Sequence, residues 1–219
     1  MVPNLDNAAV KALETLVKYR VASAPIDPLP ILKSMPGVLV LSFAEMADRM
    51  GMARDHLISV FASENHDVVT SVMRVDGRLR YLMAYNQRLP FYMLQRSLAH
   101  ELGHIVLGHD GSRPEAVRDE ESLVFARHFL APRPLIRSIM DAGVPVSVET
   151  VGIVTGCYER CLRGIRKIPG AHVPARLNRA VREQFADYVA NFVDCRALIP
   201  ADDDSTPVDW GTYFDNYEE

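Results

Sequence analysis

The chain has 219 residues, of which 48% are hydrophobic and 24% charged, and its formal net charge is -4. No stretch approaches the roughly 20 apolar residues of a membrane span, the N-terminus lacks a signal-peptide pattern, and three cysteines do not indicate a disulfide framework. We therefore expect a cytoplasmic globular protein without a membrane partner.

Residue periodicity predicts five secondary-structure elements before residue 90. In chain order they are a helix over 5–20, a strand over 38–43, a helix over 44–50 and strands over 68–75 and 79–85. Asp76-Gly77 lies between the last two strands and is typical of a two-residue hairpin turn. An extended substrate segment could pair with a free edge of the 79–85 strand; a hairpin with a covered edge is the alternative.

A longer helix is predicted to begin at Pro90, where the missing N–H is not needed in the first turn. Leu94, Leu98 and Leu102 repeat at helical spacing and predict the core-facing side, and Gly108 is placed to end the helix. Further helices are predicted over 116–130, 134–142, 148–167 and 175–195.

The segment His100-Glu101-Leu102-Gly103-His104 lies within this helix. Two histidines four residues apart face the same side of a helix, so both imidazoles can reach one metal ion. Glu101 is close enough to take a proton from a water molecule at that ion. The segment therefore predicts a zinc site with a general base.

Catalytic zinc usually has three protein ligands and one open position, so a third ligand is needed. His109 follows His104 by five residues, about 140° further round a helix, and is badly aimed unless the chain turns at Gly108.

An acidic residue of the next helix is the other source of a third ligand. Glu121 precedes Phe125 by about one turn and would project where the two helices pack. Asp119 and Glu120 are interpreted as solvated acids of the helix N-terminus.

Two segments resemble the ImmA/IrrE family of bacterial and phage metallo-endopeptidases. Residues 96–109 match a family helix that contains AHELGH, and residues 121–132 match a pattern EAN-x-FA-x-x-L-L-x-P. The leading glutamate of that pattern is the family's third zinc ligand, and its position here is Glu121. The resemblance extends over about residues 5–165. Ser122-Leu123 stands where the family has Ala-Asn, so any hydrogen bonding by that asparagine is lost.

The resemblance implies an α+β fold: a zincin-like metallopeptidase domain, with a small sheet plus the HExxH helix, followed by a helical C-terminal region. We expect the peptidase domain over 1–135 and the helical region over 136–199, with similarity to a helix-turn-helix unit near 148–167. An acidic, aromatic tail follows over 200–219.

The predicted site holds one Zn²⁺, with Mn²⁺ or Fe²⁺ as alternatives. The predicted ligands are His100, His104 and Glu121, with Glu101 as the catalytic base. Three residues are candidates for stabilising the oxyanion, and the sequence does not choose among them: Tyr158, Arg127 and His128.

The family resemblance implies a narrow substrate, a helix-turn-helix transcriptional repressor in a phage, mobile-element or stress-response switch. One alternative is a peptidase-type toxin of a toxin–antitoxin pair. Another is a repressor-binding module with a structural zinc site, against which the intact Glu101 argues.

The two ends of the C-terminal region differ in charge. Basic residues are concentrated after residue 157, but such residues on two helices more often form a solvated face than a nucleic-acid site. We therefore do not expect direct nucleic-acid binding, and a surface for a DNA-binding partner is the intermediate alternative. Residues 201–219 carry seven acidic and no basic side chains, and either dock through their aromatic residues or are disordered.

Overall fold

The computed structural model describes residues 2–53, 56, 59, 67–145, 147–156 and 171–197. The predicted tail, Tyr158 and the second half of the predicted 148–167 helix lie outside these residues. The described elements are α1 (Leu5–Lys18), α2 (Pro28–Ser34), β1 (Val38–Ser42), α3 (Phe43–Met50), β2 (Val68–Val75), β3 (Arg78–Tyr85), α4 (Phe91–Val106), α5 (Glu115–Leu130), α6 (Arg133–Asp141), α7 (Val148–Thr155), α8 (Ala175–Gln184) and α9 (Ala186–Ala197).

The three strands form one mixed sheet in the order β1-β3-β2. β2 and β3 are the predicted hairpin, and Asp76 and Gly77 both have positive φ (50° and 74°), as a type I′ turn requires. β1 pairs parallel to β3 on its other side. β3 is therefore the central strand, and the prediction of a free edge on residues 79–85 is wrong. The outer strands of the described sheet are β1 and β2.

The main core lies between one face of this sheet and helices α1, α4 and α5. Met83 of β3, Leu102 of α4 and Phe125 of α5 are completely buried in it. The same cluster continues to Phe185 at the end of α8, so the packing crosses the predicted boundary after residue 135. A smaller cluster beneath α3 covers part of the opposite face of the sheet.

Helices α4 and α5 pack closely because Gly103 of α4 has no side chain at the crossing. A Cβ atom there would lie 3.1 Å from both Phe125 Cδ1 and Ser122 Cα of α5. Pro90 is the N-cap of α4 and not its first helical residue. Gly108 follows the last turn with a φ of 68°, which ends the helix where the sequence predicts.

Two predicted C-terminal helices differ from the structure. The predicted 148–167 helix ends at Thr155, since Gly156 takes the left-handed conformation that terminates helices (φ 69°). The predicted 175–195 helix is two helices with a break at Phe185. Among the described residues, no helix combines the length and apolar character needed to cross a bilayer.

Candidate metal centre

His100 and His104 lie one turn apart on α4, and their Nε2 atoms are 3.1 Å apart. Two imidazoles bound to a tetrahedral zinc at about 2.0–2.1 Å would have their nitrogens about 3.3 Å apart. The two rings are therefore arranged as two ligands of one ion.

Asp119 is the acidic residue that joins them. Its Oδ1 atom lies 3.4 Å from His104 Nε2, and one ligand atom from each of the three residues lies within 4.8 Å of the others. The Asp119 side chain is 52% exposed, so one side of the group faces solvent. Two imidazole nitrogens and one carboxylate oxygen are a donor set that suits zinc.

Glu121, the predicted third ligand, is not brought into this group. Its carboxylate is buried and accepts hydrogen bonds from Arg113 Nη1 and Nη2 at 2.7 and 2.8 Å and from the backbone N–H of Asn4 at 2.7 Å. The physical reason is helix geometry, because residues 119 and 121 point about 200° apart around the helix axis. This arrangement does not support Glu121 as a ligand. Asp119, interpreted above as a solvated acid, lies where a third ligand beside the two histidines is expected.

A signal for Asp119 was present in the sequence. Asp119, Leu123 and Ala126 have the spacing i, i+4, i+7 and share one face of α5, and the last two line the cavity beside His100. Choosing this face over the face of Glu121 requires the rotation of α5 against α4, which periodicity does not provide.

His109 lies behind His104 and not beside it. The chain turns at Gly108, and the backbone N–H of His109 donates to His104 O at 3.0 Å while Gly108 N–H donates to Ile105 O at 3.2 Å. These two bonds form a Schellman motif. The turn brings His109 Nδ1 to 3.0 Å from His104 Nδ1, the ring nitrogen that points away from the metal position.

Both candidate histidine ligands are held in their neutral form. Burial, reinforced by His100 and His109, lowers the pKa of His104 to about 3. Burial also lowers the pKa of His100, an effect that Asp119 opposes. Since only a neutral imidazole has a lone pair for a metal, these shifts favour metal binding at neutral pH.

Glu101 lies beside His100 in a largely buried position. Burial raises the pKa of its carboxyl group, and the charge of Asp119 adds to the rise. The nearby Thr70 hydroxyl of β2 lowers the pKa and so reduces this rise. A carboxyl group with a raised pKa is suited to accept a proton near neutral pH.

A family model for the IrrE N-terminal-like domain, peptidase M78, matches residues 53–148. This match supports the assignment of residues 53–148 to the ImmA/IrrE family. The predicted resemblance is thus confirmed over a shorter stretch than the expected 5–165, and this stretch contains Glu101 and the three clustered donors. Membership supports a peptidase and implies a metal cofactor. No curated protein and no solved structure matches the chain significantly.

The candidate site opens into a cavity of about 340 Å³ that includes His100 and Glu101. Val68 at the start of β2, Arg96 of α4 and Leu123 of α5 line it as well. Arg96 lies one turn before His100, and sequence reasoning missed it although the i, i+4 spacing was visible.

Of the three oxyanion candidates, His128 is buried in the core, 3% exposed, and is not among the described residues that line this cavity, nor is Arg127. Tyr158 lies outside the described residues.

A larger groove of about 890 Å³ lies between α6, α8 and α9. Arg182 and Asp141 form an ion pair of 2.6 Å at its wall. No residue of the HExxH motif is among the described residues that line it. The smaller cavity is therefore the candidate active site.

Proposed function

We propose that this protein is a zinc-dependent endopeptidase with a zincin-like fold. The observation that carries the proposal is the convergence of donor atoms from His100, His104 and Asp119 within 4.8 Å, next to a cleft that His100 and Glu101 line. Zn²⁺ suits this donor set best, and Mn²⁺ or Fe²⁺ would also accept it.

A divalent cation held by these residues would supply Lewis-acid polarisation of the scissile carbonyl and of the attacking water. Glu101 removes a proton from that water with its carboxylate and delivers it to the departing amine. Arg96 places a positive charge in the same cleft, where it stabilises negative charge that develops on the carbonyl oxygen. These are the roles that hydrolysis of a peptide bond requires.

The walls of the cleft suit an extended peptide. β2 is an outer strand of the described sheet, and its first residue, Val68, lines the cleft. An extended segment could therefore add to this edge through main-chain hydrogen bonds. Leu123 is 39% exposed at the opposite wall, and together with Val68 it favours a substrate with an apolar side chain near the cleaved bond.

We propose a helix-turn-helix transcriptional repressor of a phage, mobile-element or stress-response switch as the substrate, on the basis of the family membership alone. A toxin-type peptidase and a repressor-binding module with a structural zinc site are the alternatives. The cavity beside Glu101 favours the two enzymatic readings, because a structural site has no use for a base next to an open cleft.

The first experiment mixes the zinc-loaded protein with helix-turn-helix repressors from the same genome and follows intact masses. We expect one defined cut, slowed by at least about 100-fold in Glu101→Gln, since general-base catalysis contributes about 10²–10⁴. Cleavage by Glu101→Gln at the wild-type rate would contradict the mechanism. A stable complex without cleavage would favour the repressor-binding module.

The ligand assignment has its own test. Asp119→Asn removes the proposed third donor, and Glu120→Gln, an exposed acid one residue further along, is the matched control. Removing a residue that only hydrogen-bonds to a metal ligand weakens metal binding by about 10- to 100-fold. We expect Asp119→Asn to weaken zinc binding by more than this. Equal zinc affinity in the two variants would refute Asp119 as a ligand.

A further inference from the structure

We propose that His109 is a positioning residue that connects the metal-binding ring of His104 to the buried carboxylate of Glu121. The inference rests on the proposed metal centre, because it concerns how one of its ligands is oriented. It also gives a role to Glu121, which lies outside the donor group, and to the turn at Gly108.

Three side chains form a continuous chain of short contacts. His104 Nδ1 lies 3.0 Å from His109 Nδ1, and His109 Nε2 lies 2.9 Å from Glu121 Oε2. The side chains of His109 and Glu121 are 2% and 3% exposed, so water does not compete for the contact between them. In such surroundings each polar atom needs a partner of the opposite donor or acceptor role.

One distribution of protons satisfies every atom when a metal is bound. His104 must offer the lone pair of Nε2 to the metal, so its proton is on Nδ1. His109 Nδ1 then accepts that hydrogen bond, and His109 Nε2–H donates to the Glu121 carboxylate. These positions are assigned from the hydrogen-bond network.

The opposite distribution is unfavourable at both ends. If His109 donated through Nδ1, His104 would have to carry its proton on Nε2, which is the position that faces the metal. His109 Nε2 would then present a lone pair to the carboxylate of Glu121, and the two would repel each other. The carboxylate therefore selects the tautomer of His104 that can bind a metal.

The far end of this relay is fixed in place. Arg113 binds both oxygens of Glu121, and the backbone N–H of Asn4 donates to Oε1. At the near end, the Schellman motif ties the backbone of His109 to His104. The carboxylate cannot rotate away without losing these hydrogen bonds.

Two substitutions of His109 separate this role from simple packing. His109→Leu fills the space but provides neither an acceptor nor a donor. His109→Gln carries an oxygen that can accept from His104 and an N–H that can donate to Glu121. His172→Leu, which removes an exposed histidine, is the matched control.

Zinc affinity of the full-length proteins is measured by competition with a chromophoric chelator, together with urea unfolding of the metal-free forms. We expect His109→Leu to weaken zinc binding about 10- to 100-fold, and His109→Gln to recover most of that loss. A zinc affinity of His109→Leu within twofold of wild type would overturn the inference. An equal loss of zinc affinity in His109→Leu and His109→Gln would also overturn it. Wild-type protein that binds no zinc would overturn the proposed function, and this inference with it.

A second measurement needs no variant and therefore does not depend on the folding of a mutant. ¹⁵N NMR of histidine-labelled, zinc-loaded protein reports which ring nitrogens carry protons. We expect the proton of His104 on Nδ1 and that of His109 on Nε2. A proton on Nδ1 of His109 would overturn the proposal even if zinc binds normally.

Discussion

Replacing Gly103 with alanine tests how closely the two helices of the metal centre approach. A Cβ atom at this position would lie 3.1 Å from Ser122 Cα and 3.2 Å from Phe125 Cβ. These atoms belong to the α5 backbone or are bonded directly to it, so they cannot rotate away as the end of a flexible side chain would. The helices would have to separate by a few tenths of an ångström.

Two opposing contributions set the size of the effect. An unobstructed helix glycine gains about 1 kcal/mol when replaced by alanine, whereas overpacking a dense contact costs about 1–3 kcal/mol. Because backbone atoms are among the obstructing atoms, we expect the packing cost to exceed the gain. The free energy of unfolding of Gly103→Ala should therefore fall by about 1 kcal/mol.

The assay is urea unfolding of the metal-free protein, with zinc affinity measured in parallel. Asp119 lies on the displaced helix, so zinc binding should weaken together with stability. A variant that is more stable than wild type by about 1 kcal/mol would mean that helix propensity decides the outcome. That result would refute the close approach of α4 and α5.

Three other predictions test single interactions. Glu121→Gln should lower the unfolding free energy by about 2–3 kcal/mol. This is less than the 3–5 kcal/mol typical of a broken buried ion pair, because Arg113 is about a third exposed. An unchanged free energy of unfolding in urea would contradict this prediction. Burial favours protonation of Glu121, but accepted hydrogen bonds, first from Asn4 N–H, outweigh it and lower its pKa. Its contribution to stability should thus be complete above about pH 4.5 and be lost as the pH falls through the lowered value, while Glu121→Gln should lack this acid-dependent part. Burial lowers the pKa of His128 to about 3. Because the histidine of the unfolded chain binds a proton at a higher pH, the free energy of unfolding should decrease as the pH falls from about 6.5 towards 3. A His128→Leu variant with an equally steep decrease would refute this. Ser42→Ala should cost about 1 kcal/mol, because Ser42 caps α3 in a capping box, and a changed zinc affinity would be unexpected.

The elements that local sequence signals specify were predicted closely. Asp76-Gly77 allows the positive φ angles of a tight hairpin, and β2 and β3 follow on both sides. Gly108 ends the motif helix because only a residue without a Cβ atom takes its φ of 68° at little cost. The spacing of His100 and His104 on that helix places their rings together whatever surrounds them.

Elements that depend on distant contacts were predicted less well. Residues 79–85 have the pattern of a strand with one buried face, but that pattern does not state how many neighbours the strand has. β1 precedes β3 by about forty residues and pairs with its second edge. The strand over 79–85 therefore has no free edge, and β1 and β2 are the outer strands of the described sheet.

In the candidate site, too, the part that depends on local spacing was predicted and the part that depends on distant contacts was not. The two proposed histidine ligands and the proposed base follow from one helical turn, because the spacing of HExxH places both histidines on one face of a helix. The choice between Asp119 and Glu121 depends on the rotation of α5 against α4. The close approach of α5 to Gly103 is one of the tertiary contacts on which that rotation depends.

The sequence by itself indicated two imidazoles and a carboxylate on one helix, most of the helices and the hairpin around them, and the family that they resemble. Only the tertiary structure showed that Asp119, and not Glu121, lies beside the two histidines, and that His109 contacts both His104 and the buried carboxylate of Glu121. The physical reason is that backbone propensities act over a few residues, whereas the partners of a side chain on a packed helix depend on how that helix is turned against its neighbour.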